Sequence, residues 1–360
     1  MRVGVNALFL LPGEVGGSEV YLNELLPAVT RVSASLDIVV FTNRENHACY
    51  EGYERVPLHV AAASRPKRIL FEQTALPRAA RRAGVDLLFS AGYTAPLYCA
   101  LPRATTIFDA QFRAFPRELS LAQRLAYNVL VGGSARTADR VLTLSQFSAR
   151  ELHTRLGIPL KAIAVTPPGL PSLPEPGTLP DSVRRPFLLY VSNTYPHKNV
   201  PRLAEAFLHI ADRIPHSLVI VGRNRGGEPP RDERIVRLEG VSREALSALY
   251  RQCDAFVNPS RYEGFGFPTL EAMAAGARVI AATTGATTEV AGDAASYFDP
   301  VDPIQMADVM LGVLHESREE RARFIGKGLE RAKLYSWDEC ARVTVKAFEE
   351  ALGERKAHPV

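Results

Sequence analysis

Short apolar runs alternate with amphipathic stretches along all 360 residues, and this alternation limits the fold more than any other feature of the chain. In the first half RVGVNALFL, LDIVVFT, VDLLFSA, ATTIFDA and RVLTLS are almost continuously apolar, as strands buried on both faces are. Between them SEVYLNELLPAV, RILFEQTALPRAARRAG, LAQRLAYNVLVGGSAR and QFSARELHTRL read as helices. The second half repeats the pattern. FLLYVSN, SLVIVG, IVRLEG, AFVNPS, RVIAA and ASYFD are its strand candidates. NVPRLAEAFLHIADRI, SREALSALYRQC, PTLEAMAAG and PIQMADVMLGVLHES are its helices. Strand, helix, strand, run through twice, predicts two α/β domains, each a Rossmann-like, doubly wound parallel sheet.

The join between them is legible. Residues 167–186, PPGLPSLPEPGTLPDSVRRP, hold seven prolines. Proline lacks an N–H and fixes φ, so such density excludes helix and central strand and predicts a stiff linker. The expected division is an N-terminal domain over 1–166, the linker, a C-terminal domain over 187–335, and a last segment, 336–360. In that segment SWDECARVTVKAFEEAL reads as one more amphipathic helix, expected to cross back onto the first domain. Doubly wound sheets bind ligands at the carboxyl ends of their strands. Two such domains predict a cleft site fed by loops from both.

Composition narrows the class. The balance of apolar and charged residues, 46% and 23%, is that of a soluble globular protein. No stretch reaches the roughly 18 apolar residues of a membrane span. The opening run MRVGVNALFL reads as a first buried strand, not a targeting segment. Cys49, Cys99, Cys253 and Cys340 are scattered, which argues against a disulfide framework or a zinc site and for a reducing, cytoplasmic compartment. Residues 1–166 carry 19 basic against 13 acidic side chains, residues 167–360 carry 24 against 26. A basic first half suggests an anionic partner. Much of the excess is one patch, Arg65, Lys67, Arg68, Arg78, Arg81 and Arg82. It reads either as a solvated face or as a peripheral attachment to an anionic membrane surface or a phosphate-bearing acceptor. No nucleic-acid partner is expected.

The most informative stretch is RYEGFGFPTLEAMAAG, Arg261 to Gly276. It follows the strand candidate AFVNPS, and Pro268 suits a first helical turn. Gly264 and Gly266 admit backbone angles that other residues resist and let a ligand approach the main chain. A helix start favours phosphate. Glu263, an exposed loop acid, and Glu271, one turn into the helix, can each accept paired hydroxyls from a sugar or ribose. Their spacing alone is weak evidence; their setting is stronger. Elsewhere YVSNTYPHKNV puts Lys198 between a strand and a helix, placed for a diphosphate. Arg223, after SLVIVG, is a supplement, and GEVGGSE puts Gly16 and Gly17 before the first helix. Asp109 stands at a strand end in TTIFDAQFRAFP. No G-x-G-x-x-G occurs in the first loop, which counts against a dinucleotide oxidoreductase.

The stretch PSRYEGFGFPTLEAMAAGARVIAATTGATTEVAGDAASYFDPVD resembles the donor-binding signature of glycosyltransferase family 4, and the resemblance extends over nearly the whole chain. It implies the two-domain GT-B architecture, a nucleotide diphosphate sugar as co-substrate, transfer with retention, and no metal or other cofactor. It implies that Glu271 holds the ribose hydroxyls and Glu263 contacts the transferred sugar. The main chain of Gly264, Phe265 and Gly266 would approach sugar and phosphates, Val241 would meet the base, and Gly16 and Gly17 would face the phosphate. Two departures stand out. The family usually has Arg-Lys where this chain has His197 and Lys198. It often has His-Asp where this chain has Phe108 and Asp109, which leaves Asp109 as the polar candidate of the first domain. The implied activity is hexosyl transfer, from a GDP- or UDP-sugar to a glycan, lipid-linked or other hydroxyl acceptor, in polysaccharide, lipopolysaccharide or glycolipid assembly. A sugar-nucleotide epimerase of the same fold, and a nucleotide-sugar-binding protein with degraded catalysis, remain as alternatives.

Overall fold

Thirteen strands form two all-parallel sheets in the computed structural model, which describes residues 1–357. The first sheet comprises β1 (Arg2–Asn6), β2 (Asp37–Thr42), β3 (Glu54–Pro57), β4 (Leu87–Ser90), β5 (Arg103–Thr106), β6 (Arg140–Thr143) and β7 (Ile163–Val165). Their spatial order is β3-β2-β1-β4-β5-β6-β7. The second comprises β8 (Phe187–Val191), β9 (Ser217–Val221), β10 (Ile235–Leu238), β11 (Ala255–Asn258), β12 (Val279–Ala282) and β13 (Ala295–Phe298), ordered β10-β9-β8-β11-β12-β13. Each sheet is the core of its own unit, residues 1–169 with the segment from Ser336 onward, and Leu170–Tyr335.

The central strands β4 and β12 are buried at every residue, which is why they read as unbroken apolar runs. The edges β3 and β7 have no fully buried residue, and neither gave a strand signal. The helix Arg318–Ala332 also escaped the reading; it buries only Gly328 and Ala332. The helix Val200–Ile210 is the opposite case. It lays Leu203, Phe207 and Ile210 against Leu188, Ile220 and Val257 of the second sheet.

The last helix, Trp337–Ala357, belongs to the first unit. Phe348 packs 5.0 Å from Phe89 of β4, and Trp337 lies 6.1 Å from Tyr21. Arg140 pairs with Glu350 at 3.0 Å, and Arg31 with Asp338. Where the chain leaves this unit only glycine fits, since a Cβ on Gly169 would lie 2.3 Å from the Trp337 nitrogen. The proline-rich segment is fastened to the second unit from Leu170 onward. Gly177 N–H donates to the Glu244 carbonyl at 3.0 Å, and the Ser247 hydroxyl to the Pro174 carbonyl at 2.8 Å.

Each strand order reverses once, between β1 and β4 and between β8 and β11. At such a point neighbouring loops leave to opposite faces of the sheet and a crevice opens at the carboxyl ends. The second unit is held rigid near its far end by Arg278, whose side chain is fully buried. Its guanidinium bonds Glu316 at 2.6 and 2.9 Å and Ser296 at 2.6 Å, and stacks 3.8 Å over Phe324. Glu316→Ala leaves that cation without its counter-charge and should cost about 3 kcal/mol. Urea unfolding followed by a probe in the second unit checks it.

Candidate functional site

The β8–β11 switch point brings two loops together, and one asparagine does most of the joining. β8 runs into residues 192–199, and β11 into 259–266. Asn199 sits between the short turn Pro196–Lys198 and the helix Val200–Ile210, in the left-handed region at φ 62°. Its amide donates to the carbonyls of Pro259 at 3.1 Å and Pro300 at 2.7 Å. The Arg261 N–H donates to the His197 carbonyl at 2.9 Å. These bonds lay Lys198 beside Glu263.

Lys198 Nζ lies 2.7 Å from Glu263 Oε1, and the Ser260 hydroxyl donates to the same oxygen at 2.8 Å. Neither charged side chain is exposed: Lys198 keeps 15% of its surface and Glu263 11%. The expectation of an exposed loop acid is therefore corrected. Taking a carboxylate out of water is costly unless a counter-charge and donors replace the water, and Lys198 with Ser260 does so. The Glu263 main chain is fixed as well. Its carbonyl accepts from Ala286 N–H at 3.0 Å, and Gly285 passes so close that a Cβ would lie 2.8 Å from it.

Beyond Glu263 the chain turns into the helix Phe267–Ala274. Gly266 is its N-cap at φ 100°, a conformation other residues resist, and no side chain caps the helix. Gly264, expected to share that role, does not take a positive φ. Pro268 falls in the first turn. The Phe265 ring is buried between Phe267 and Tyr335, and its main chain lies in the bend.

Glu271 lies in this helix and is buried. The Tyr250 hydroxyl donates to its Oε2 at 2.9 Å. Burial pushes the Glu271 carboxyl above its ordinary range, opposed by the Tyr250 hydrogen bond and by the charge of Arg243. Tyr250, buried in the helix Arg243–Gln252, was not picked out from the sequence. A tyrosine on the inner face of an amphipathic helix looks like any core aromatic.

The remaining candidates fall into two groups. Arg223 follows β9 and is exposed; its N–H donates to Asn193 Oδ1 at 2.9 Å and its carbonyl accepts from Thr194. Its loop therefore adjoins the one that carries Lys198. Val241 is half-buried beyond β10, just before the Ser242 cap. Gly16, Gly17 and Asp109 belong to the first unit, at the carboxyl ends of β1 and β5. Gly16 is the N-cap of the helix Gly17–Val32 at φ 72°, and its loop is closed by Gly13 N–H donating to the Glu19 carboxylate at 3.0 Å. Asp109 accepts from Gln111 N–H at 3.0 Å. Phe108 is core: its ring packs 5.3 Å from Tyr21 and 5.1 Å from Tyr93. His197 is buried and stacks 5.7 Å from Tyr195. Among the described residues no three His, Cys, Asp or Glu side chains gather as a metal centre would.

Known proteins resemble this chain in sequence and fold. Residues 15–172 match the family model described as Glycosyltransferase Family 4, and residues 185–316 the one described as Glycosyl transferases group 1. The O-antigen chain mannosyltransferase B of Escherichia coli is 31% identical over 60% of this chain and 62% of its own length. The chain spans less than two thirds of the length of the curated relatives it matches. Sucrose-phosphate synthase from Thermosynechococcus elongatus superposes with a TM-score of 0.74 at 19% identity, over 98% of this chain and 100% of that one. The HepE protein of Anabaena, solved with UDP-glucose, gives 0.69 at 17% identity, over 99% and 100%. At such identities the superpositions speak for the fold, which is GT-B.

The ion pair has a consequence for stability. Lys198→Met leaves the Glu263 carboxylate half-buried with Ser260 and should destabilise the ligand-free protein by about 2 kcal/mol, less than a fully buried pair would. The double variant Lys198→Met/Glu263→Gln should recover most of that loss. A double-mutant cycle by thermal unfolding measures both.

Proposed function

The chain belongs to glycosyltransferase family 4, the group 1 glycosyltransferases, and on that footing we propose that it transfers a hexose, mannose or glucose, from a nucleotide diphosphate sugar to an acceptor hydroxyl, with retention. The observation that carries the reading is the Lys198–Glu263 pair at the β8–β11 switch point, next to the uncapped helix start at Gly266. A ligand entering this crevice meets a cation, an uncapped helix N-terminus and two carboxylates within one short stretch of chain. A diphosphate competes with Glu263 for Lys198. As the ammonium turns to phosphate, the carboxylate is freed to accept hydroxyls of the donor sugar. The charges exchange partners, so neither is left bare in a poorly hydrated place.

Transfer then breaks the bond between the anomeric carbon and the diphosphate oxygen and forms one to the acceptor oxygen. The acceptor proton passes to the leaving diphosphate, so no strong protein base is needed. Stabilising the charge that grows on the leaving oxygen is the large contribution, assigned to Lys198, to the main chain of Gly264, Phe265 and Gly266, and to Arg223. Glu271 takes the ribose hydroxyls. Its Oε2 is engaged by Tyr250, so Oε1 is the oxygen left for the ligand. Val241 would adjoin the base, and Gly16, Gly17 and Asp109 would serve the phosphate and acceptor side from the first unit. The diphosphate charge is balanced by protein groups in this reading, and transfer should persist in a chelator. The relative named O-antigen chain mannosyltransferase B supports an acceptor in polysaccharide, lipopolysaccharide or glycolipid assembly. The mannosyltransferase relative favours mannose, and HepE, with its bound UDP-glucose, favours a uridine nucleotide.

A second reading has one observation behind it. The Phe108 ring is locked among Tyr21 and Tyr93, so that position supplies no polar group. A nucleotide-sugar-binding protein without transfer would fit this. It would bind the donor and release no nucleotide with any acceptor.

Three outcomes test the main reading. A thermal-shift panel of UDP, GDP, ADP and their sugars should single out one nucleotide class by a rise in Tm; no shift with any would end the proposal. Lys198→Ala should lose affinity for the nucleoside diphosphate by about tenfold or more while leaving the nucleoside nearly unchanged. Affinity should also depend on pH. Glu271 must be ionised to accept ribose hydroxyls, and its carboxyl is held above its ordinary 4.5, so binding should weaken on acidification before ordinary carboxylates titrate. Tyr250→Phe removes a bond that favours the ionised form, so the acid limb should move to higher pH; calorimetric titration across pH reads it.

A further inference from the structure

The helix Leu121–Thr137 of the first unit carries apolar residues on a side left largely uncovered. Its C-terminal half is ordinary, with Val131, Ser134 and Ala135 buried. Its N-terminal half is not: from Pro116 to Leu130 no residue is buried. Leu121 is 79% exposed, Leu125 66% and Val129 51%, and at spacings of four residues they form one stripe. A capping box of Ser120 and Gln123 closes the helix start, so this end is regular helix. The charges around the stripe have one sign. From Leu119 to Ala138 there is no Asp or Glu, while Arg124 and Arg136 lie within the helix. Arg113 and Arg117, just before it, are exposed, and Glu118 is engaged by the Gln111 amide at 3.2 Å.

The basic helix Arg65–Arg82 adjoins it. The loop after β4 is stitched to both helices. Gln73 bonds the Ala95 carbonyl at 3.0 Å and the Leu97 N–H at 2.9 Å, and Ser134 receives the Ala95 N–H at 2.8 Å. Arg68 lies near Tyr127. Arg65 and Lys67 are exposed, and the one acid of this helix, Glu72, is buried. On the stitching loop Tyr98 is 90% exposed.

We propose that the Leu121–Val129 end of this helix, with its arginine rim and the basic helix beside it, docks the protein on an anionic lipid surface. Exposed leucines need an apolar phase, and arginines around them need anions at its border; a bilayer interface with acidic headgroups supplies both at the same depth. A second copy of the chain fits less well, because pairing the stripe with itself brings two cationic rims together. The surface lies on the first unit and does not depend on the nucleotide reading. Among the described residues no helix is long and apolar enough to cross a membrane, so this docking is peripheral.

The test is flotation of the whole chain with vesicles of phosphatidylcholine alone or mixed with phosphatidylglycerol. The protein should float with the mixed vesicles, about tenfold less with phosphatidylcholine, and less again at high salt. Leu121→Gln/Leu125→Gln/Val129→Gln should lose at least about tenfold in partition. Arg117→Glu/Arg124→Glu, which leaves the apolar stripe intact, should lose the preference for phosphatidylglycerol. Both variants should keep the wild-type Tm and nucleotide response. Wild type that fails to float with mixed vesicles, a glutamine variant that floats undiminished, or a wild-type dimer that the glutamine variant splits would each overturn the proposal. Vesicle binding without any nucleotide response would leave it standing and count against the transferase reading alone.

Discussion

A lysine and a glutamate with little access to water must each have a partner, and that requirement organises the second unit. Lys198 and Glu263 arrive on loops 65 residues apart in sequence. They meet because Asn199 bonds the carbonyls of Pro259 and Pro300, and because Arg261 bonds the carbonyl of His197. The parallel order explains why these loops are neighbours at all, since β8 and β11 flank the one reversal in the sheet. The pair satisfies both charges within the protein. In the proposed function a diphosphate would substitute for one half of it and sugar hydroxyls for the other.

The two glutamates of the motif are held by different chemistry. Glu263 has a cation and a hydroxyl; Glu271 has a phenol and a more distant arginine. Burial therefore leaves Glu271 harder to ionise. In the proposed function ribose hydroxyls would supply the donors that Glu271 lacks. Tyr250 engages its Oε2. The first unit contributes a second kind of surface, a helix that packs normally at one end and is greasy and cationic at the other.

Much of this was legible beforehand. The central strands were read correctly because they are buried on both faces and so are mostly apolar. The GT-B fold and the family followed from the motif around Glu263 and Glu271. Edge strand β3 was missed because it is short and mixed in composition, β7 because it is only three residues long, and the helix Arg318–Ala332 because its buried residues are a glycine and an alanine. Lys198 was placed at a phosphate site from its position between strand and helix. That it would face Glu263 could not be read, since nothing local links them. Phe108 was noted only as a departure; its reason, a place in an aromatic cluster with Tyr21 and Tyr93, involves rings far apart in sequence. LAQRLAYNVLVGGSAR read simply as one more helix, because apolar residues on two sides of a helix look the same whether or not both sides are covered.

Sequence by itself determined most of the elements, their parallel arrangement and the glycine-softened bend with its two acids, because periodicity, proline density and backbone permissiveness are local properties. Tertiary structure alone decided which charges pair, which acid is dry, which tyrosine restrains it and which leucines are left uncovered. Those depend on distances between segments that the chain brings together only by folding.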